Sequence, residues 1–292
     1  MQSLTQLTAI FSTLFFLACQ PVQSQTDLPA ELPKEFGAYW YQGKAELSSY
    51  ALKQARYGEI HEGEAVLIYV TEDFSRKKQV KLDNPGQAGN DKVPIMKLNA
   101  SRKFLTGLYP YSILQSVFSP TNLRKDPHAL KTSTTVQEWC GHVYNQLNRE
   151  KNGYRFTNFS YFESEGDTEA TLPLTWLEDE LWTWIRIAPD HLPTGKQKLI
   201  PSSVHTRLVH KSMEPREAEL SLATEGGVST YQIVYPADQR TVSIRFEAAF
   251  PHKILGWEEE QTSWGRTLTT TAELKETIQT DYWNRHNNAD RS

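Results

Sequence analysis

The chain has 292 residues, two cysteines and a formal charge of −4 at neutral pH. That mildly acidic balance gives no electrostatic reason to bind nucleic acid or an anionic membrane, and two cysteines exclude a disulfide scaffold. The length allows one large β domain or two smaller ones, and eight Trp, thirteen Tyr and twelve Phe favour strands over helices.

Residues 1–18 carry no charged side chain, and 7–18 form an apolar run broken only by Thr8, Ser12 and Thr13. This is the length of a signal-peptide core and short for a membrane span. The run stops at Cys19, after Phe16-Leu17-Ala18. A small residue just before a cysteine marks a lipoprotein signal, and a thioether-linked lipid on Cys19 would anchor the mature chain to a membrane. Cleavage after Val22-Gln23-Ser24, giving a periplasmic or secreted protein, competes with this reading. The expected organisation is a signal peptide at 1–18, a lipidated Cys19 and polar tether at 19–35, and a β-rich globular domain at 36–292. The expected location is the cell envelope.

Within the domain, Ala65-Val-Leu-Ile-Tyr-Val-Thr71 is a short run rich in branched residues and predicts a central strand buried on both faces. Strands are also expected at 93–98 and 111–118, with turn chemistry at Thr106-Gly107 and Tyr109-Pro110, and 83–91 reads as a loop. Residues 136–147 and 154–163 alternate on either side of Asn152-Gly153, the signature of a hairpin, although a helix over 136–147 is a competing reading. One helix is expected over 173–187, where Leu177, Leu181 and Trp184/Ile185 recur at helical spacing behind Glu178, Asp179 and Glu180. Strands at 203–210, 218–224, 229–235, 241–250, 253–260 and 267–274 complete the pattern. The prediction is a mainly β fold: a large antiparallel meander, curved or partly closed, with one packed helix near 173–187.

The densest chemical constellation is Gln137-Glu138-Trp139-Cys140-Gly141-His142. On one continuous strand, Glu138, Cys140 and His142 share a face, so His142 would lower the thiol pKa and Glu138 would orient the imidazole. Same-face neighbours lie roughly 6.5–7 Å apart, too far for contact unless a bulge at Gly141 closes the gap. The plainer reading is a cysteine that only packs. No metal or cofactor is expected: the histidines are scattered, and no HExxH, CxxC pair, phosphate loop or GxSxG elbow occurs. The acidic runs at 72–73, 178–180 and 258–260 read as solvated ends of elements.

Taken as a set, Thr71-Glu72-Asp73-Phe74-Ser75, Gln137 to His142, Glu178-Asp179-Glu180-Leu181-Trp182, Leu192-Pro193-x-Gly195 and Gly256-Trp257-Glu258-Glu259 resemble an uncharacterised family of bacterial envelope lipoproteins. The resemblance would cover nearly the whole mature chain and implies no catalytic residue. Such sequences are often labelled "septum formation inhibitor Maf". Maf proteins are cytoplasmic α/β nucleotide pyrophosphatases with an N-terminal Ser-x-Ser-Pro-x-Arg loop, a motif this chain does not contain.

The expectation is therefore a non-catalytic envelope module that binds a lipid, another apolar ligand or an envelope protein. The alternative is a thiol-dependent hydrolase or transferase built on Cys140, His142 and Glu138. For the anchor, Cys19→Ser is expected to move the protein out of the membrane fraction of a bacterial host and to abolish fatty-acid labelling. Retention of the variant in membranes, with no label on the wild type, contradicts the assignment.

Overall fold

The computed structural model describes Leu28, residues 32–263 and residues 265–291. The expected signal peptide and Cys19 lie outside the described residues. The described chain forms one sheet of fifteen strands, β1 to β15, ordered β8-β7-β6-β5-β4-β3-β2-β1-β15-β14-β13-β12-β11-β10-β9. Two meanders thus meet where β1 (Ala45–Arg56) pairs with β15 (Arg266–Thr280). Every ladder is antiparallel except that between β9 (Trp176–Leu177) and β10 (Gly195–Ile200). No α/β layering of the Maf kind is present among these residues.

Connectivity forces this sheet to curl. Fifteen strands laid flat would span about 70 Å at the usual strand spacing. The two edge strands, β8 (Thr168–Pro173) and β9, are nonetheless consecutive in the chain. The step from Pro173 to Trp176 can reach only about 10 Å. The edges must therefore approach each other, and the sheet becomes a nearly closed barrel.

The barrel is filled by helix α2 (Glu178–Ile187), all ten residues of which are buried. Its partners lie all around the sheet. Thr183 meets Ser119 of β4 (Tyr109–Pro120), the Trp182 carbonyl accepts from Tyr69 of β2 (Glu59–Ser75), and Glu178 meets Arg240 of β13 (Arg240–Glu247). A helix can touch such widely separated strands only from inside the curl. Trp182 packs edge-on against Trp257, and Trp184 against Trp176, within one continuous apolar core.

The charges of α2 are buried with it, and Glu178 and Arg186 each meet an opposite charge on a strand. Arg186 makes two 2.7 Å bonds to Glu46 and stacks over Trp40 and Tyr69. Burial opposes ionisation of Glu46, but the charge and hydrogen bonds of Arg186 outweigh it and hold the carboxyl below its usual range. Glu178 accepts two bonds from Arg240, at 2.6 and 2.7 Å, and a third from Tyr235. Glu180 accepts from the Leu177 and Ala129 amides and faces His128 at 2.9 Å. Asp179 is the least compensated: burial and the neighbouring Glu178 push it up to about 6.

Several expectations change. The acids at 178–180 are buried charges, not a solvated end, because the helix enters the barrel at its N-terminus. The helix starts at Glu178 rather than near 173, since 168–173 and 176–177 are strands. Two further helices occur among the described residues: α1 (Lys34–Trp40), which buries Phe36 and Trp40, and α3 (Ser203–Leu208) where a strand is expected. At α3 a tertiary contact overrides the local pattern. The amides of Ser202 and Ser203 donate to the carboxylates of Glu178 and Asp179, satisfying groups that a helix start leaves open. Strand β2 is central but buried on one face only, with Ala65, Leu67 and Tyr69 covered and Val66 and Ile68 partly exposed. Its outer face has no covering layer.

Arg186→Met would strand the Glu46 carboxylate in the core and is expected to cost about 3–5 kcal/mol in urea unfolding. The double variant Glu46→Leu/Arg186→Met should recover most of that loss, because an apolar pair leaves no buried charge. A single-variant cost below about 1 kcal/mol would show that the pair is solvated.

Candidate functional site

The Cys140 segment is not one strand. β5 (Lys131–Glu138) ends, Trp139 and Cys140 form a two-residue turn, and β6 (Gly141–Glu150) returns. Glu138 pairs with Gly141, and Gln137 with His142. The turn separates the three residues expected on one face. Glu138 is buried on the inner face beside Val136 and Thr134, whereas His142 is exposed on the outer face opposite Gln137. Gly141 is no bulge. It is small because the Tyr161 ring lies over it, and a Cβ there would sit 2.5 Å from the ring's Cγ.

The electrostatics follow this placement. Glu138 accepts a 2.6 Å bond from the Cys140 amide. Its hydrogen bond and negative charge push the exposed thiol above the ordinary value, opposite to the shift a nucleophile requires. The sequence pattern therefore locates an accessible thiol, and the structure brings it together with Glu138 but not with His142. Among the described residues no group of three or more His, Cys, Asp or Glu is placed to hold a metal ion, and no helix is long and apolar enough to cross a membrane.

The lumen offers little room. A cavity of about 20 Å³ lies among Arg102, Gln115, Glu178, Trp182, Trp257 and Glu259, enough for about one water. Charged side chains of Arg102, Glu178 and Glu259 line it, which suits a bound water better than an apolar ligand. The sequence does carry a signal for this polar interior. Arg240 alternates with Val242, Ile244 and Phe246, so an arginine occupies an inward position of a strand whose other inward residues are apolar. Glu259 alternates with Trp257 in the same way.

The rim holding Cys140 has a different character. In a meander, alternate connections lie at one end, so the turns β1–β2, β3–β4, β5–β6 and β7–β8 share a rim. Their tips carry Tyr57, Leu108, Trp139 and Tyr161, which are 43%, 86%, 73% and 67% exposed. Trp139 is 6.4 Å from the Tyr109 ring, and the Tyr109 hydroxyl donates to Tyr57. Tyr57 also shares a 2.7 Å hydrogen bond with Tyr111 and lies beneath the Arg56 guanidinium at 4.2 Å. Burial opposes ionisation of Tyr57, but the bonds from Tyr109 and Tyr111 and the charge of Arg56 bring its pKa down. Tyr57 has φ +53 and Gly58 φ +79, a turn position that Asn or Gly ordinarily fills. A bulky aromatic residue held there at a conformational cost points to use of its side chain. Sequence inspection missed this rim because its members are some 20–50 residues apart.

No protein-family model matches the chain, and neither does any curated protein. Among solved structures, it is similar to a β-barrel-like protein of the domain of unknown function DUF1849 from Brucella abortus, at 7% identity and a TM-score of 0.42 over 81% of this chain and 98% of that one.

The thiol geometry has a kinetic consequence. Cys140 is expected to react with iodoacetamide in the native protein without denaturant, at the slow rate of an unactivated thiol. His142→Ala should leave the rate unchanged, while Glu138→Gln should raise it a few-fold by removing the negative neighbour. A large drop in rate in His142→Ala would instead restore the thiol–imidazole pairing.

Proposed function

We propose that this chain is an exported, lipid-anchored envelope protein that serves as a binding module, seating an apolar surface of an envelope protein on its aromatic rim. The carrying observation is that four consecutive same-end turns expose Tyr57, Leu108, Trp139 and Tyr161, while the lumen is occupied by α2. Exposed apolar groups clustered at one rim mark interaction surfaces. Tyr and Trp anchors flanked by an arginine have the composition of protein-interface hot spots. The hydroxyl network of Tyr57, Tyr109 and Tyr111 and the adjacent Arg56 favour a partner that offers polar groups over a hydrocarbon layer. The lipid on Cys19 and the polar tether at 19–35 come from the sequence pattern and would hold the domain near a membrane.

Cys140 supplies the test, because it lies in the rim beside Trp139. A photo-crosslinker on Cys140, activated in intact envelopes, is expected to yield one dominant protein adduct identifiable by mass spectrometry. The same adduct should be lost when the crosslinker is carried by Trp139→Ser/Leu108→Ser protein of unchanged thermal midpoint. A crosslinker at the remote position Lys151→Cys, in a Cys140→Ser background, should not produce it. Adducts insensitive to the rim substitutions, or made only with lipid, count against a protein partner.

A further inference from the structure

The sheet ends on two edges of different character. An open edge is a template for pairing with another chain unless it is short, covered or guarded by lysine. β9 has only two residues, and the part of β10 outside its ladder to β9 carries Lys196 and Lys198. β8 has six residues, no lysine and no bulge, and its proline stands at the end, at Pro173. Thr168, Glu169, Ala170 and Thr171 are all exposed, although Thr168 and Ala170 point the same way as buried Leu172. Among the described residues, no backbone hydrogen bond outside the ladder to β7 (Gly153–Ser160) reaches β8. We propose that β8 pairs with β8 of a second copy of this chain, joining two barrels through one antiparallel ladder.

The direction of the free backbone groups follows from the neighbouring hairpin. β6 and β7 close on Glu150 and Gly153 around two residues, and such a closing pair exchanges both backbone hydrogen bonds. Backbone groups point to alternate sides along a strand, so Tyr154, Phe156 and Asn158 turn theirs toward β8. They meet Leu172, Ala170 and Thr168 there. Glu169 and Thr171 therefore turn their N–H and C=O groups to the open edge.

This edge is complementary to itself. A two-fold axis at Ala170 sets Glu169 opposite Thr171 of the second copy, and Thr171 opposite its Glu169. Both pairs bring outward backbone groups together and leave Pro173 outside the ladder. An axis at Glu169 would set a carboxylate against itself, and an axis at Thr171 would set Glu169 against Pro173, which has no N–H. The favoured register also suits the charges on the outer face. Arg155 lies opposite Thr171 in its own sheet, so Glu169 of the second copy falls in its row. Arg155 is about half exposed and has one carboxylate contact among the described residues, Glu150 at 3.5 Å, while Glu169 has no cation partner there. The two glutamates thus lie between the two arginines. A strand of unrelated sequence would match the backbone but not this arrangement. The ladder is short, so the dimer is a weak, reversible one.

The test uses residues 19–292 with Cys19→Ser. Sedimentation equilibrium up to about 1 mM is expected to show a monomer–dimer equilibrium. Thr171→Pro removes an outward N–H, and Glu169→Lys puts a lysine on the edge in the row of Arg155. Each is expected to weaken the dimer at least about tenfold with an unchanged thermal midpoint. Glu169→Lys keeps the ladder to β7 whatever Thr171→Pro does to folding. Ala170 and its copy form a non-hydrogen-bonded pair, with Cα atoms about 4.5 Å apart, within reach of a disulfide. Ala170→Cys in a Cys140→Ser background is therefore expected to give a disulfide-linked dimer under mild oxidation, and Lys151→Cys in that background is not. Trp139→Ser/Leu108→Ser, which alters the aromatic rim, should leave the dimer intact. The proposal fails if the protein stays monomeric at every concentration, or if a dimer persists in Glu169→Lys and Ala170→Cys does not crosslink. It fails equally if Ala170→Cys in intact envelopes links to another protein instead of a second copy.

Discussion

The structure depends on keeping the charges of one helix inside a barrel. Glu178 and Arg186 sit at the two ends of α2, and each makes a two-point pair with a strand residue, Arg240 at one end and Glu46 at the other. Removing such ions from water costs several kcal/mol apiece, so the helix is tolerated in the lumen only where the partners meet it with the right geometry. Arg240 opens β13 and Glu46 lies near the start of β1, so the pairs fix the helix against both meanders. A helix shifted by one residue would leave four charged or hydrogen-bonding groups without partners.

The filled lumen also decides where recognition can occur. Small barrels often hold a ligand inside, but here the aromatic side chains that would line such a cavity pack against Trp182, Trp184 and Leu181. Accessible chemistry is displaced to the two ends. One end presents turn tips with large apolar side chains over a tyrosine hydroxyl network. The other presents a cleft lined by Tyr41, Lys44, Lys81 and Trp283. The two surfaces differ in kind: the first has area and little depth, and the second has depth and mixed polarity.

The Cys140 segment shows how a correct local pattern yields an incorrect site. Alternation through 136–147 is real, since both β5 and β6 alternate. The period-two pattern shifts phase at the turn, because Glu138 and Gly141 face each other across the hairpin and lie three positions apart. Read as one strand the segment hides that shift, which moves His142 to the outer face and leaves Glu138 on the inner one. The acidic run at 178–180 misleads in the opposite direction. Three adjacent acids read as solvated because burial of such a group requires partners, and those partners lie on strands far away in sequence.

The sequence by itself determined the local alternatives: strand or turn at most positions, the hairpin at Asn152-Gly153, the helical spacing of 177–187, and a mainly antiparallel β architecture. Steric preference and hydrophobic periodicity act over a few residues, so a few residues suffice to reveal them. Only the tertiary structure decided that the meander closes, that the helix goes inside rather than across it, that 203–208 is helical, and which side chains gather at each end. Those outcomes depend on charges and rings separated by tens to hundreds of positions, such as Arg186 with Glu46 or Trp283 with Lys44. Their meeting is set by the closure of the sheet, a constraint that no local window contains.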